Sequence, residues 1–492
     1  MLAVLLMTAQ RQGPVQLAGQ QEARQLLARD RCLPRIRARV GAVSGGYAAG
    51  GRGGRRRGRG MVSMVRSGAR MSGVPRLRRG RIAVPALLSG IALALGVPAA
   101  MAATSATAAH PKVIATVKVG SEPSEVAVSP RTGAAYVVNR GSSTVTVISA
   151  RTNKVAATIW IKPGMRNLAP FAVAVSAVTG DVYVTNFAVT SSAKGTVTVI
   201  SGRTNKVIGT IPVGIDPGQA FISPKTGDVY VTNAGASITS STVTVINGRT
   251  NKVITTIKLG GSSGTAQETA ISPKTGDIYI ANPGKDSVSV ISGKTNKVIA
   301  SVSVAYASEP SREPVDPYQV AVSPVTGAVY VVSEGYHTGN LVTAISGKTN
   351  KVTAVIPNEV GYFGGSGQIA ISPKTGTVYV GNDISGNVSV ISGKTNKVTG
   401  FIEFPDGYLH AEDVAVSPVT GDVYAETVIY DDTGPGGVNT GGAFWVINGK
   451  TNKLSGHVII KDGVSISQNA ISSRTGDAYS TGYANDVSVI SG

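Results

Sequence analysis

From residue 111 onward the apolar residues arrive in short bursts, and no stretch shows the three-to-four-residue spacing of an amphipathic helix. One stretch reads "AVAVS" (172–176), a turn, "DVYVTN" (181–186), a loop, "TVTVIS" (196–201), a second turn, and "KVIGTIPVG" (206–214). Each burst is rich in Val, Ile, Thr and Tyr and is bounded by Gly, Asn, Pro or Ser, so each predicts a β-strand. Short turns join the four in order, which predicts an antiparallel meander. Its apolar residues fall on both faces, so a single meander would leave one face in water; in "DVYVTN", Val182 and Val184 are expected on one face and Tyr183 and Thr185 on the other.

The pattern recurs. A Thr-Gly turn places its glycine at 133, 180, 227, 276, 327, 376, 421 and 476, and a tyrosine follows three residues after each: Tyr136, Tyr183, Tyr230, Tyr279, Tyr330, Tyr379, Tyr424 and Tyr479. A second phrase, [RK]-T-N-K-[VL], has its asparagine at 153, 205, 251, 296, 350, 396 and 452, seven times against eight. Four-stranded units of this length bury both faces when they stack radially, which predicts an all-β propeller of four-stranded antiparallel blades. The eighth unit ends at "DVSVISG" (486–492), after its third strand, and the unused strand "KVIATVKVG" (112–120) stands at the other end. Eight blades, the last closed by that N-terminal strand, are therefore expected; seven blades with a stray unit are the alternative. The Thr-Gly glycines and the Thr-Asn asparagines are expected at turn positions with positive φ.

On these residues the chain resembles the YVTN-family β-propeller repeat proteins across 111–492. The literal motif stands at 183–186 and 230–233, with variants "YVVN" (136–139), "YIAN" (279–282), "YVVS" (330–333), "YVGN" (379–382), "YAET" (424–427) and "YSTG" (479–482). The resemblance implies a propeller of secreted bacterial type and no shared catalytic residues; both binding and lactonase-like members leave the activity open. Trp160 and Trp445 are the only tryptophans and no Trp-Asp pair occurs, unlike a WD40 repeat.

Meander topology puts the first-to-second and third-to-fourth turns on one face, where the wording is uniform ("SPKTGD", "SGKTNK"), and the varied loops on the other. Varied loops on a rigid frame commonly bind, so the variable face is the candidate ligand face. Its ligand candidates are Glu334, Tyr336 and His337 in unit five, Tyr408, His410, Glu412 and Asp413 before unit seven, and Tyr430, Asp431 and Asp432 inside the long loop 427–443. The seven Thr-Asn turns gather Arg151, Lys154, Arg203, Lys206, Arg249, Lys252, Lys294, Lys297, Lys348, Lys351, Lys394, Lys397, Lys450 and Lys453 on the uniform face. Arg131, Lys225, Lys274, Lys374 and Arg474 join them from the Thr-Gly turns. Such a ring fits a polyanion such as a wall polymer, an anionic lipid surface or nucleic acid, or else serves as a solubility device; no aromatic side chain stands in the turns to stack on bases.

The formal charge of +20 belongs mostly to the leader. Residues 1–109 hold 18 Arg against Glu22 and Asp30, a net of +16, which leaves 29 basic and 25 acidic residues, +4, for the rest. Residues 1–60 read as an Arg/Gly-rich extension ahead of the true start, 61–102 as a secretory signal peptide cleaved after Ala102, and 103–110 as a linker. The single cysteine, Cys32, lies in the extension, which leaves the propeller without disulfide or thiol chemistry. With His110, His337, His410 and His457 the only histidines, no cofactor and no multi-histidine metal centre is expected. The resulting expectation is a secreted, monomeric, non-catalytic binding propeller without a membrane anchor, whose partner is an extracellular protein or cell-wall polymer. A lactonase-like hydrolase or lyase using carboxylates of units five to seven is the alternative, and a nucleic-acid or polyanion binder the second.

Overall fold

The structure, a computed structural model, describes residues 111–161, 168–188, 193–235, 241–259, 268–283, 285–304, 315–335, 341–357, 366–382, 385–405, 408–431, 438–460, 469–482 and 485–491. The extension and signal-peptide readings, and most of the variable loops, lie outside these residues. Residues 106–492 form one compact unit. Among the described residues there is no helix, and the strands make eight four-stranded antiparallel sheets.

Seven blades are consecutive meanders. Their inner strands are Pro123–Val128, Leu168–Val175, Pro217–Ile222, Thr269–Ile271, Val315–Val322, Ser366–Ile371 and Tyr408–Val416. In the eighth, inner strand Ala470–Ile471 and strands Ala478–Gly482 and Asp486–Ile490 are completed by Val113–Lys118 as the outer strand. The seven-blade alternative is thereby excluded. The closing pair runs from Val113 opposite Ile490 to Lys118 opposite Asp486, and the Lys118 ammonium meets the Asp486 carboxylate at 3.2 Å. Inner strands of adjacent blades pack against one another around the ring, so they surround the axis.

The alternation read from "DVYVTN" is what joins blades. Val182 and Val184 pack with Tyr136, Val138, Val145 and Val147 of blade 1, whereas Tyr183 packs with Val229 and Val231 of blade 3. Complete burial of such a side chain contributes about 1.5–3 kcal/mol, and every blade repeats it on both faces.

The two repeated phrases meet in a hydrogen bond. The Tyr183 hydroxyl, fully buried at the ring end, donates to Asn251 Oδ1 in the Thr-Asn turn of blade 3 at 2.9 Å. Tyr136, Tyr230, Tyr279, Tyr330 and Tyr379 make the same bond to Asn205, Asn296, Asn350, Asn396 and Asn452. Those asparagines sit at φ of 53 to 55°, a left-handed conformation Asn tolerates well. Blade 8 has no Thr-Asn turn, and Tyr424 donates instead to the Gly476 carbonyl. The asparagine of the motif itself works within its blade: Asn186 Nδ2 donates to the Thr196 and Thr198 hydroxyls at 3.1 and 3.0 Å.

Candidate ligand-binding site

Each inner strand ends in a serine that opens the Thr-Gly turn: Ser129, Ser176, Ser223, Ser272, Ser323, Ser372, Ser417 and Ser472. Four residues before it stand Glu125, Ala172, Gln219, Glu268, Gln319, Gln368, Asp413 and Gln468, an acid or amide in every blade but the second. Gln468 lies outside the described residues. The side chains at this height reach towards the next blade. Glu125 accepts the Val173 amide of blade 2 at 3.1 Å, Asp413 accepts the Asn469 amide of blade 8 at 2.7 Å, and Gln219 bonds Glu268.

Their electrostatics show that they also face one another. Burial pushes Glu125 up to about 8, with the Val173 amide pulling the other way and the charge of Glu268, three blades away, adding to the rise. Burial likewise raises Glu268 to about 7, with Asp413, again three blades on, adding to it and the Gln219 bond opposing. Asp413 is raised to about 6 by burial, against the amides of Asn469 and Val414. Groups three blades apart in a ring of eight couple only across the axis. Glu125 and Glu268 are half-buried as whole residues while their carboxyl groups are enclosed.

Blade 7 adds a second acid. Glu426 lies opposite Asp413 in the ladder, buried at 2 % exposure, and accepts the Asn469 side-chain amide at 2.7 Å and the Ser480 hydroxyl at 3.2 Å. It occupies the place of Thr185 in "YVTN", so the odd spelling "YAET" was its sequence signal. Thr427, in place of the motif asparagine, accepts the Trp445 indole N–H at 2.8 Å. In blade 2, where the ring position is Ala172, Phe171 and Phe187 meet edge to face at 5.8 Å, with the Arg140 guanidinium 4.9 Å from the Phe187 ring centre. Acids and amides therefore stand at one height of the inner strands around the axis.

Of the residues singled out from sequence, Asp413 alone is shown in this ring. Glu334 is exposed at the end of its strand opposite Asp316; partial desolvation first, and Asp316 second, raise its carboxyl above the usual range. Tyr408, His410 and Glu412 belong to the extended inner strand Tyr408–Val416 rather than to a loop before the blade, and their side chains lie outside the described residues. Tyr430 and Asp431 are likewise in strand: the loop expected over 427–443 is a lengthened hairpin, Val423–Asp431 paired with Val438–Asn448. Continued ladder pairing, Tyr430 opposite Asn439 and Asp431 opposite Val438, satisfies backbone groups that a loop would leave to water. Tyr336, His337 and Asp432 lie outside the described residues. Among the described residues the acids at this height come from units one, four and seven. Glu125 and Glu268 went unremarked in the sequence because each is a single letter within a strand, and only superposing the units aligns the column.

On the uniform face all fourteen Thr-Asn-turn bases are exposed. The five Thr-Gly-turn bases do something else. Arg474 donates to the Arg131 carbonyl, Arg131 to Val178, Lys225 to Lys274, Lys274 to Val325, and Lys374 to Val419 and Thr420. Each tie reaches the following blade and stops where that blade carries Val178, Val325 or Val419. Asp228, Asp277 and Asp422 accept the amides of Gly248, Gly293 and Gly449, tying the two turns of one blade together. Among the described residues no group of three or more His, Cys, Asp or Glu is arranged to hold a metal ion.

Among solved structures, the chain is similar to the C-terminal WD40 domain of Sif2, at 10 % identity and a TM-score of 0.56 over 78 % of this chain and 98 % of that one. It is also similar to hydrazine synthase of Kuenenia stuttgartiensis, at 18 % identity and a TM-score of 0.47 over 70 % of this chain and 97 % of that one. The Sif2 likeness supports the β-propeller fold and nothing beyond it. No family model and no curated protein matches the sequence.

Proposed function

We propose that this chain is an exported binding propeller of the YVTN type that takes a small polar ligand in its axial channel. The observation that carries this reading is the ring of acids and amides at one height of the inner strands, coupled across the axis. Near neutral pH the ring offers a protonated carboxyl at Glu125, an ionised one at Asp413 and amides between them. That lining suits a ligand carrying several hydroxyl or amine N–H donors, since convergent polar groups fix orientation. Export rests on the leader pattern at 61–102.

The test is calorimetric titration of the full chain with a panel of polyols and polyamines, beside Glu125→Gln, Glu268→Gln and Asp413→Asn. Glutamine is the native residue at this height in blades 3, 5 and 6, so the glutamate changes preserve the local shape. Loss of binding in the variants is expected; unchanged binding by all three would place the ligand elsewhere. One observation favours a second reading as a hydrolase: Glu125 holds its proton up to about 8 while Asp413 ionises above about 6, so acid and base coexist between those values. Lactone turnover with a bell-shaped pH profile, abolished by Glu125→Gln, would establish it.

A further inference from the structure

The outer strands carry a difference around the ring that neither the axial site nor blade packing uses. In blades 1 to 7 each begins just after the Thr-Asn turn with a bulge that turns two successive side chains outward, and the closing strand of blade 8 carries the same bulge. In blades 5, 6 and 7 the bulged residue is Thr353, Thr399 or Ser455, and its hydroxyl donates to the carbonyl of Ala344, Val390 or Val446 at 2.9 to 3.1 Å. In blades 2, 3, 4 and 8 the same place holds Ile208, Ile254, Ile299 and Ile114, and in blade 1 Ala156. Beside them stand Val207, Val253, Val298, Val113 and Val155, all exposed; Ile208 and Ile299 are 53 % and 51 % exposed.

Blades 8, 1, 2, 3 and 4 are consecutive, so these side chains make an apolar shoulder along one arc of the rim. On the other arc Val352, Phe401 and Ile459 are exposed singly. Trp160 is exposed too, but at the far end of the blade 1 outer strand, away from the shoulder. Exposed apolar side chains repeated blade after blade along one arc, and not along the other, point to an interaction face. Its charge says with what. Lys112, Arg151, Lys154, Arg203, Lys206, Arg249, Lys252, Lys294 and Lys297 border the arc, and neither its outer strands nor the turns leading into them contain an acid. A second copy of the same arc would be repelled. A dissolved polyanion would satisfy the cations and leave the isoleucines in water.

We propose that the basic, apolar shoulder of blades 8 to 4 docks this protein on an anionic lipid surface, the cations meeting headgroups and the Val and Ile side chains entering the boundary beneath them. Apolar burial and headgroup attraction add in such binding. Docked by this shoulder, the propeller turns its Thr-Asn turns towards the lipid.

The experiment uses Ile208→Thr, Ile254→Thr and Ile299→Thr combined. The hydroxyl residue is native at this bulge in blades 5 and 6, so the substitution has a built-in precedent and leaves the charge unchanged. Co-sedimentation is measured with vesicles of phosphatidylcholine alone and of phosphatidylcholine with phosphatidylglycerol, using residues 106–492, which hold every strand of the eight sheets, beside the full chain. The expected result is binding of the parent to anionic vesicles only, with partitioning of the triple variant reduced by about tenfold or more, while its melting temperature and its elution from a heparin column stay those of the parent. Equal partitioning of variant and parent would overturn the proposal and reduce the surface to a general polyanion site. Failure of the parent to bind anionic vesicles, or equal binding to neutral ones, would overturn it as well.

Discussion

Tyr230 shows what one residue of the repeated phrase contributes. Its hydroxyl is pushed up to about 12, chiefly by burial, so it stays a donor across the physiological range, and Asn296 Oδ1 accepts from it at 2.9 Å. Tyr230→Phe should cost about 1–3 kcal/mol, because it leaves the asparagine oxygen without its donor. Asn296→Gly keeps the positive φ and loses only the bond, whereas Asn296→Ala also incurs backbone strain and should be the more destabilising of the two. Urea denaturation of the three variants checks the order. The seam between blades 8 and 1 supplies an internal control. Tyr479 Oη and Asn153 Oδ1 are the corresponding pair there, and among the described residues neither has a partner. Tyr479→Phe should therefore cost less than Tyr230→Phe, and an equal cost would deny the bond its role.

Among elements, the closing strand and the paired turns are where a small change reaches furthest. Val113–Lys118 is the outer strand of blade 8 yet comes from the opposite end of the propeller sequence, so it ties the first blade to the last. A chain beginning at residue 121 should lose melting temperature by on the order of ten degrees or more and expose the Asp486–Ile490 edge to aggregation. Equal melting by scanning calorimetry would contradict the ring closure. On the uniform face, Gly248 lies against the Gly227 carbonyl so closely that a Cβ would overlap it. Gly248→Ala should force the two turns of blade 3 apart and break the Gly248 amide bond to Asp228. Blade 1 carries Ala150 at the same place, so it shows the spacing that an added methyl group requires.

For the whole molecule the axial carboxyls set a pH dependence. Folding raises Asp413, Glu268 and Glu125 to about 6, 7 and 8, so the folded ring binds protons more tightly than the unfolded chain. Their contribution is most favourable below the ordinary carboxylate range and declines as pH rises through those three values. The melting temperature should accordingly fall between pH about 5 and about 9, and Glu125→Gln with Glu268→Gln should flatten the fall. A parent whose melting temperature holds constant over that span would contradict the enclosure of these carboxyls. The same titration should strengthen binding of a cationic ligand as pH rises.

The eight-fold architecture was legible in the order of letters, because strand alternation and turn geometry are local: Val182 and Tyr183 face opposite ways, and Gly180 and Asn205 adopt positive φ at 85° and 54°, within a few residues of sequence. The missing eighth Thr-Asn turn even implied the closing strand, since a sheet edge must be paired. The candidate site was only partly legible. Asp413 was noticed for its acidic neighbours, while Glu125 and Glu268, 143 positions apart by number, became partners only when closure brought their strands around one axis. The rim tells the same story in reverse: Ile208, Ile254 and Ile299 read as ordinary strand residues, and the bulge turned them outward. Local chemistry determined which strands and turns this protein has; convergence and exposure depend on distances in space, and those only the closed ring decided.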